Sequence, residues 1–164
     1  FVGGALANDL FKAKNYNVGK SLLSDVEFDT SFLENPKILI PIDVETEGPN
    51  GRRVCSPSEV TDDEVIYDAG PATVAMLSEY IKEAKTILWN GPFGNFEKDF
   101  AKATEGIAKL VSESTAHSVV GGGDTVASIS QLGLIDKFDF VSTGGGAMLT
   151  YLEHGTTPAL KALE

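Results

Sequence analysis

The chain is poor in cysteine, histidine and positive charge, and each shortage removes a class of function. Cys55 is the sole cysteine, so neither an internal disulfide nor a cysteine-built metal site can form, and a reducing, cytoplasmic setting is expected. The two histidines, His117 and His154, have no partners at metal-ligand spacing and read as ordinary solvated or hydrogen-bonded side chains. Thirteen Lys and Arg stand against 24 Asp and Glu, a net charge of −11. A duplex-binding surface needs clustered cations to displace counterions. The cations here are scattered, so no nucleic-acid partner is expected. No apolar run reaches the roughly 18 residues a spanning helix needs, and the first residues lack a basic stretch leading into an apolar one. A soluble chain with no membrane partner is therefore expected.

What is present is ordinary for a folded domain: 42% hydrophobic and 23% charged residues in a chain of 164. That length suits one domain over residues 1–164. The start, Phe1-Val2-Gly3-Gly4, has no initiating methionine and reads like a strand end running into a glycine loop, as if cut from a longer protein. Ala5, Leu6, Leu10 and Phe11 recur at helical spacing, which predicts a helix over Ala5 to Lys14 broken by Asn15-Tyr16-Asn17. The β-branched run from Lys37 to Val44, followed by Gly48-Pro-Asn-Gly51 and Arg52-Arg-Val-Cys55, predicts a hairpin in a peripheral position.

Beyond it one pattern repeats. Apolar runs at Thr86 to Trp89, His117 to Val120 and Asp139 to Val141 are each followed by glycine, at Gly91, at Gly121 to Gly123 and at Gly144 to Gly146. Helical patterns such as Glu97 to Val111 come next, and Thr156-Thr-Pro158 starts a last helix to the chain end. Such alternation predicts an α/β fold, a mostly parallel sheet with helices on both faces and ligands at its carboxyl edge.

Three loops could carry chemistry. Gly121-Gly-Gly-Asp-Thr125 lets backbone approach a ligand and sets a carboxylate beside unpaired N–H groups. A carboxylate next to a phosphate cradle requires a divalent cation, which makes Asp124 a candidate magnesium ligand. Equally, Asp124 or Thr125 can simply cap the next helix. Ser142-Thr-Gly-Gly-Gly-Ala147 repeats the arrangement without the carboxylate and suits a bare phosphoryl oxygen, or else a tight strand-to-helix turn. In Trp89-Asn-Gly-Pro-Phe-Gly-Asn-Phe-Glu97, Glu97 can accept two vicinal hydroxyls, as acidic residues do on ribose, or favour a helix dipole. Asn90 can contact a ligand or cap a turn. Two signatures are absent: there is no GxGxxG, and Gly19-Lys20-Ser21 lacks the first glycine of a phosphate-binding P-loop, where Lys14 stands.

Taken in order, GGALANDLFKAKNYNVGKSL, YDAGPAT, WNGPFGNFE, GGGDT and STGGGA cover nearly the whole chain, and together they resemble the C-terminal domain of phosphoglycerate kinases. The resemblance implies a Rossmann-like three-layer α/β sandwich, and reversible phosphoryl transfer between 1,3-bisphosphoglycerate and magnesium ADP, giving 3-phosphoglycerate and ATP. It places Gly3, Gly4 and Leu22 at the adenine, Glu97 on the ribose and Asn90 on the nucleotide. It gives Gly121, Gly122, Gly123 and Thr125 to the phosphates, Asp124 to Mg2+, and Gly144, Gly145 and Gly146 to the transferred phosphoryl group. It also implies a monomer acting on small molecules.

The sequence departs from the family pattern at Ile66-Tyr67 and Asn95, which by the resemblance border the adenine, and at Met148, which replaces a hydroxyl residue after the glycines. The family's substrate-binding basic cluster and catalytic arginine belong to another domain, and two phosphate-binding lysines to a segment before Phe1. The chain alone is therefore expected to bind nucleotide without catalysing transfer. Two other readings stay open: a non-catalytic nucleotide-binding or interaction module, and a structural α/β domain with glycine turns.

Overall fold

The computed structural model describes residues 1–24, 28 and 31–163. The chain forms two compact units, one of residues 1–80 and 92–107, the other of residues 81–91 and 108–164.

The first unit begins with α1 (Ala5–Ala13), whose Ala7, Leu10 and Phe11 fall on one buried face at helical spacing. Asn15, left-handed at φ 62, follows the helix end where the break was expected. After α2 (Ser31–Glu34) come the strands β1 (Val44–Gly48), β2 (Gly51–Cys55) and β3 (Val65–Ala69). They form an antiparallel sheet of order β2-β1-β3. The expected hairpin is there, pairing Val44 with Cys55 and Gly48 with Gly51. The apolar run starting at Lys37 is not strand before Val44. Pro41 has no N–H for a ladder, which suits the late start.

The hairpin is not peripheral. β1 is the middle strand, because β3 pairs along its other side with a register shift between Glu45 and Thr46. Val44 is 1% exposed and packs in a core with Ala7, Phe11, Val18, Cys55 and Val60. The short run Val65-Ile-Tyr-Asp-Ala gave no alternation from which to foresee this pairing. Beside the sheet, buried Glu64 accepts from Arg53 Nη2 at 2.8 Å and from Thr61 N at 2.8 Å.

The second unit holds β4 (Thr86–Asn90), β5 (His117–Gly121) and β6 (Phe140–Ser142), all parallel in the order β4-β5-β6. This is the parallel sheet expected from the three apolar runs. Its helices are α5 (Gly123–Gln131), α6 (Gly145–His154) and α7 (Pro158–Lys161). Trp89, Val120, Ile129 and Phe138 are buried, and the rings of Trp89 and Phe138 lie 6.5 Å apart.

Helices α3 (Pro71–Glu83) and α4 (Lys102–Glu113) carry residues of both units. The helix expected from Glu97 begins only at Lys102, because a 3₁₀ turn at Phe96–Lys98 ends on Asp99 in a left-handed conformation. Among the described residues no helix is long and apolar enough to cross a membrane.

Candidate functional site

In the second unit each parallel strand delivers the chain to a glycine loop at its carboxyl end. β5 ends at Gly121, and α5 starts two residues on, behind Gly122 at φ 94, a conformation that side chains rarely adopt. β6 ends at Ser142, and α6 starts at Gly145 behind Gly144. Neither Gly122 nor Gly144 supplies a capping side chain. The first-turn N–H groups of two helices are therefore left for another acceptor, and the helix dipoles favour an anion there.

The two loops touch through backbone. A Cβ on Gly145 would fall 2.6 Å from Gly122 Cα and 3.1 Å from Asn90 Nδ2, so nothing larger than glycine fits. Asn90, the last residue of β4, donates from Nδ2 to the Gly145 carbonyl at 3.1 Å. Gly91 N donates to Thr125 Oγ1 at 2.9 Å. Asn90, Gly91, the GGGDT loop and the start of α6 thus form one hydrogen-bonded group. Of the residues singled out from sequence, it gathers Asn90, Gly121 to Gly123, Thr125, and Gly144 to Gly146.

Thr125 is fully buried, its oxygen engaged by Gly91. Asp124 is exposed in the first turn of α5. An exposed carboxylate beside free helix N–H groups fits a magnesium ion that takes its remaining ligands from phosphate oxygens and water. Among the described residues no three His, Cys, Asp or Glu gather as a metal-ligand group. The loop stretches 89–91, 121–125 and 142–147 contain no Lys or Arg. Met148 lies against the same loops, where a Cβ on Gly121 would fall 3.2 Å from its sulfur. Met148, expected to matter for the hydroxyl it lacks, makes this contact without any signature in the sequence, and the part played by the Gly91 amide has none either.

The remaining sequence-selected residues lie in the first unit. Gly4 precedes α1 at φ 60, and Gly3 sits by the Phe1 and Phe93 rings, whose centroids are 5.3 Å apart. Leu22 is 71% exposed, and its carbonyl accepts from Asn8 Nδ2 at 3.0 Å. Glu97 is exposed on the 3₁₀ turn that Asn95 caps through its side chain. Tyr67, one of the two departures expected at the base, packs its ring 4.7 Å from Phe100 and hydrogen-bonds Lys98 Nζ at 2.9 Å. Arg52 reaches the same segment, donating to the Lys98 and Asp99 carbonyls, each at 3.0 Å.

Glycine loops in backbone contact at the carboxyl ends of parallel strands, with two open helix N-termini behind them, define an α/β protein of the kind that carries its ligands at the sheet edge. The sequence model of one family, described as phosphoglycerate kinase, matches residues 1–155. The chain belongs to the phosphoglycerate kinase family. It is 42% identical to phosphoglycerate kinases of Haemophilus influenzae strains PittGG and Rd, over 99% of its own length and 44% of theirs. Among solved structures it is similar to phosphoglycerate kinase from Coxiella burnetii (TM-score 0.84, 38% identity, 93% of this chain and 42% of that one). The phosphoglycerate kinase from Pyrococcus horikoshii OT3 gives a TM-score of 0.78 at 29% identity, over 98% of this chain and 44% of that one. The chain thus spans less than half the length of the relatives it matches.

Proposed function

We propose that this chain supplies the magnesium-nucleotide site of a phosphoglycerate kinase, for reversible phosphoryl transfer between 1,3-bisphosphoglycerate and ADP. The observation that carries the reading is the group in which Asn90 bonds Gly145 and Gly91 bonds Thr125, with Gly122 packed against Gly145, which leaves two helix N-termini open side by side. Such N–H groups can hold phosphoryl oxygens as charge redistributes between donor and acceptor. Gly144 to Gly146 would face the transferred group, while Gly121 to Gly123 and Thr125 shape the cradle for the nucleotide phosphates and Asn90 contacts the nucleotide. Gly3, Gly4 and Leu22 are assigned to the adenine, and Glu97 to the ribose hydroxyls. Asp124 would hold Mg2+, which supplies neutralisation of the phosphate charge.

The loops' lack of Lys and Arg favours a second reading beside it, a nucleotide-binding module without catalysis. Phosphoryl transfer depends on cations around the moving group, and this chain would need them from elsewhere. Calorimetric titration with ADP separates the possibilities. Saturable binding that weakens without magnesium, and in Asp124→Ala, supports the nucleotide site. Binding unchanged by either sinks the metal role of Asp124. No binding by a chain that circular dichroism shows to be folded sinks the nucleotide reading itself.

A further inference from the structure

Asp68 is the YDAGPAT carboxylate to which the reading above gives no task. It lies in β3, 2% exposed, directly opposite Glu45 of β1, itself 8% exposed. Two buried carboxylates facing each other across a ladder repel. The cation in reach is Lys102, the first residue of α4, whose Nζ is 3.4 Å from Glu45 Oε1. A buried acidic pair with one largely exposed lysine is a poor structural bargain, so its geometry points to some other use.

That use is visible in what Asp68 touches. Its Oδ2 accepts from Ala103 N in the first turn of α4 at 3.1 Å, and its Oδ1 from Ala69 N at 2.9 Å. The residue before α4 is Ala101, which has no side-chain acceptor, so Asp68 caps this helix from a neighbouring strand. The segment leading into α4 lies on the same carboxylate: a Cβ on Gly94 would fall 2.4 Å from Asp68 Cγ. Asn95 N, next along, donates to the Tyr67 carbonyl at 2.9 Å. From Gly94 to Ala103, the stretch that carries Glu97 is fastened to β3 at its start by backbone and close contact, and at its end by Asp68.

We propose that Asp68 is a positioning residue for the segment from Gly94 to Ala103, and that its protonation, governed by Glu45 and Lys102, loosens the hold of β3 on that segment. Ionised, the carboxylate offers both oxygens to N–H donors and complements the α4 dipole. Protonated, it keeps no charge at the helix end, and one oxygen carries a hydrogen of its own. Burial first, with the Glu45 charge beside it, pushes the Asp68 carboxyl up to about 7 against the opposing pull of the Ala103 and Ala69 amides and Lys102. Other charges nearby are otherwise engaged. Tyr67 binds Lys98, Arg52 pairs with Glu47 and Asp99, and Asp43 accepts from Ala72 and Thr73.

The consequence for ligand binding rests on the assignment of Glu97 to the ribose. Magnesium ADP should bind more tightly as Asp68 ionises, on the order of threefold from the helix-end charge.

Amide chemical shifts of Ala69, Asn95 and Ala103, followed from pH 5 to 9, test the latch without any ligand. A common titration that vanishes in Asp68→Asn, moves to lower pH in Glu45→Gln and moves to higher pH in Lys102→Met is the expected result. The last two variants keep the test open if Asp68→Asn does not fold. Shifts that stay flat, or that titrate unchanged in all three variants, overturn the proposal. The affinity of magnesium ADP is then compared between the parent chain and Asp68→Asn at pH 6 and 8, because the nucleotide phosphate titrates in the same window. Loss of the pH-dependent gain in the variant supports the coupling, and an identical gain overturns it. If no ADP binds at any pH, the nucleotide assignment falls while the amide shifts still decide the latch.

Discussion

At residue scale the Thr125 hydroxyl, expected either on a ligand phosphate or as a cap of the next helix, has its oxygen taken by the Gly91 amide in a fully buried setting. Replacing it with isosteric valine leaves the half-buried Gly91 N–H without its acceptor. The expected cost is about 1–3 kcal/mol by urea denaturation, with weaker ADP binding as β4 and the GGGDT loop separate. Two carboxyl groups set opposite pH trends in the same chain. Hydrogen bonding from Arg53, and then from Thr61, lowers Glu64 to about 2. Its stabilisation is complete above its usual pKa of 4.5 and is lost as the pH falls through about 2. Asp68 is raised from 3.8 to about 7. Over that interval the unfolded chain binds fewer protons than the folded one, so stability declines with rising pH, by up to about 4 kcal/mol. Asp68→Asn should therefore be the more stable protein at pH 8 and gain little at pH 4. Denaturation midpoints at the two pH values check the sign, and a variant equally affected at both would contradict it.

At the scale of elements, two helices whose starts lie in the first unit begin on carboxylates borrowed from outside the helix. Asp43, just before β1, accepts from Ala72 N at 2.9 Å and from Thr73 N at 2.7 Å at the start of α3. Asp68 does the same for α4. Asp43→Ala should uncap α3 and cost about 1–2 kcal/mol. Thermal unfolding followed by far-ultraviolet circular dichroism measures the loss, and Asp43→Asn, which keeps an acceptor, should recover most of it. These caps explain why α3 and the true start of α4 were not legible in the sequence. Cap residues are sought immediately before a helix, and here they lie 35 positions away for Ala103 and 30 for Thr73. The parallel strands, by contrast, were legible because each apolar run ends on its own glycine.

For the whole molecule, the net charge of −11 makes binding of an anion depend on a counterion. With magnesium ADP at about 100 times its dissociation constant, stabilisation of about 2.7 kcal/mol is expected, a rise in melting temperature of about 5–10 °C. ADP with a chelator should give a small fraction of that shift. Scanning fluorimetry reads both, and equal shifts with and without metal would count against Asp124 as a ligand. By itself the 164-residue chain should produce no ATP from 1,3-bisphosphoglycerate above blank in a coupled assay.

The sequence alone determined whatever is written locally. The helix α1 follows from apolar spacing, the hairpin from Gly48-Pro-Asn-Gly51, and the three strand–glycine–helix units from apolar runs that each end on glycine. The order of five motifs determined the family. The tertiary structure decided what depends on residues distant in the chain. It made β1 a central strand by pairing it with β3, brought Gly145 against Gly122 and Asn90, occupied the Thr125 hydroxyl with a backbone amide, and set Asp68 opposite Glu45. Local pattern records a residue's intrinsic preference and its neighbours in sequence. Burial, capping from afar and charge pairing arise only when segments meet, and those contacts set how the carboxyl groups titrate.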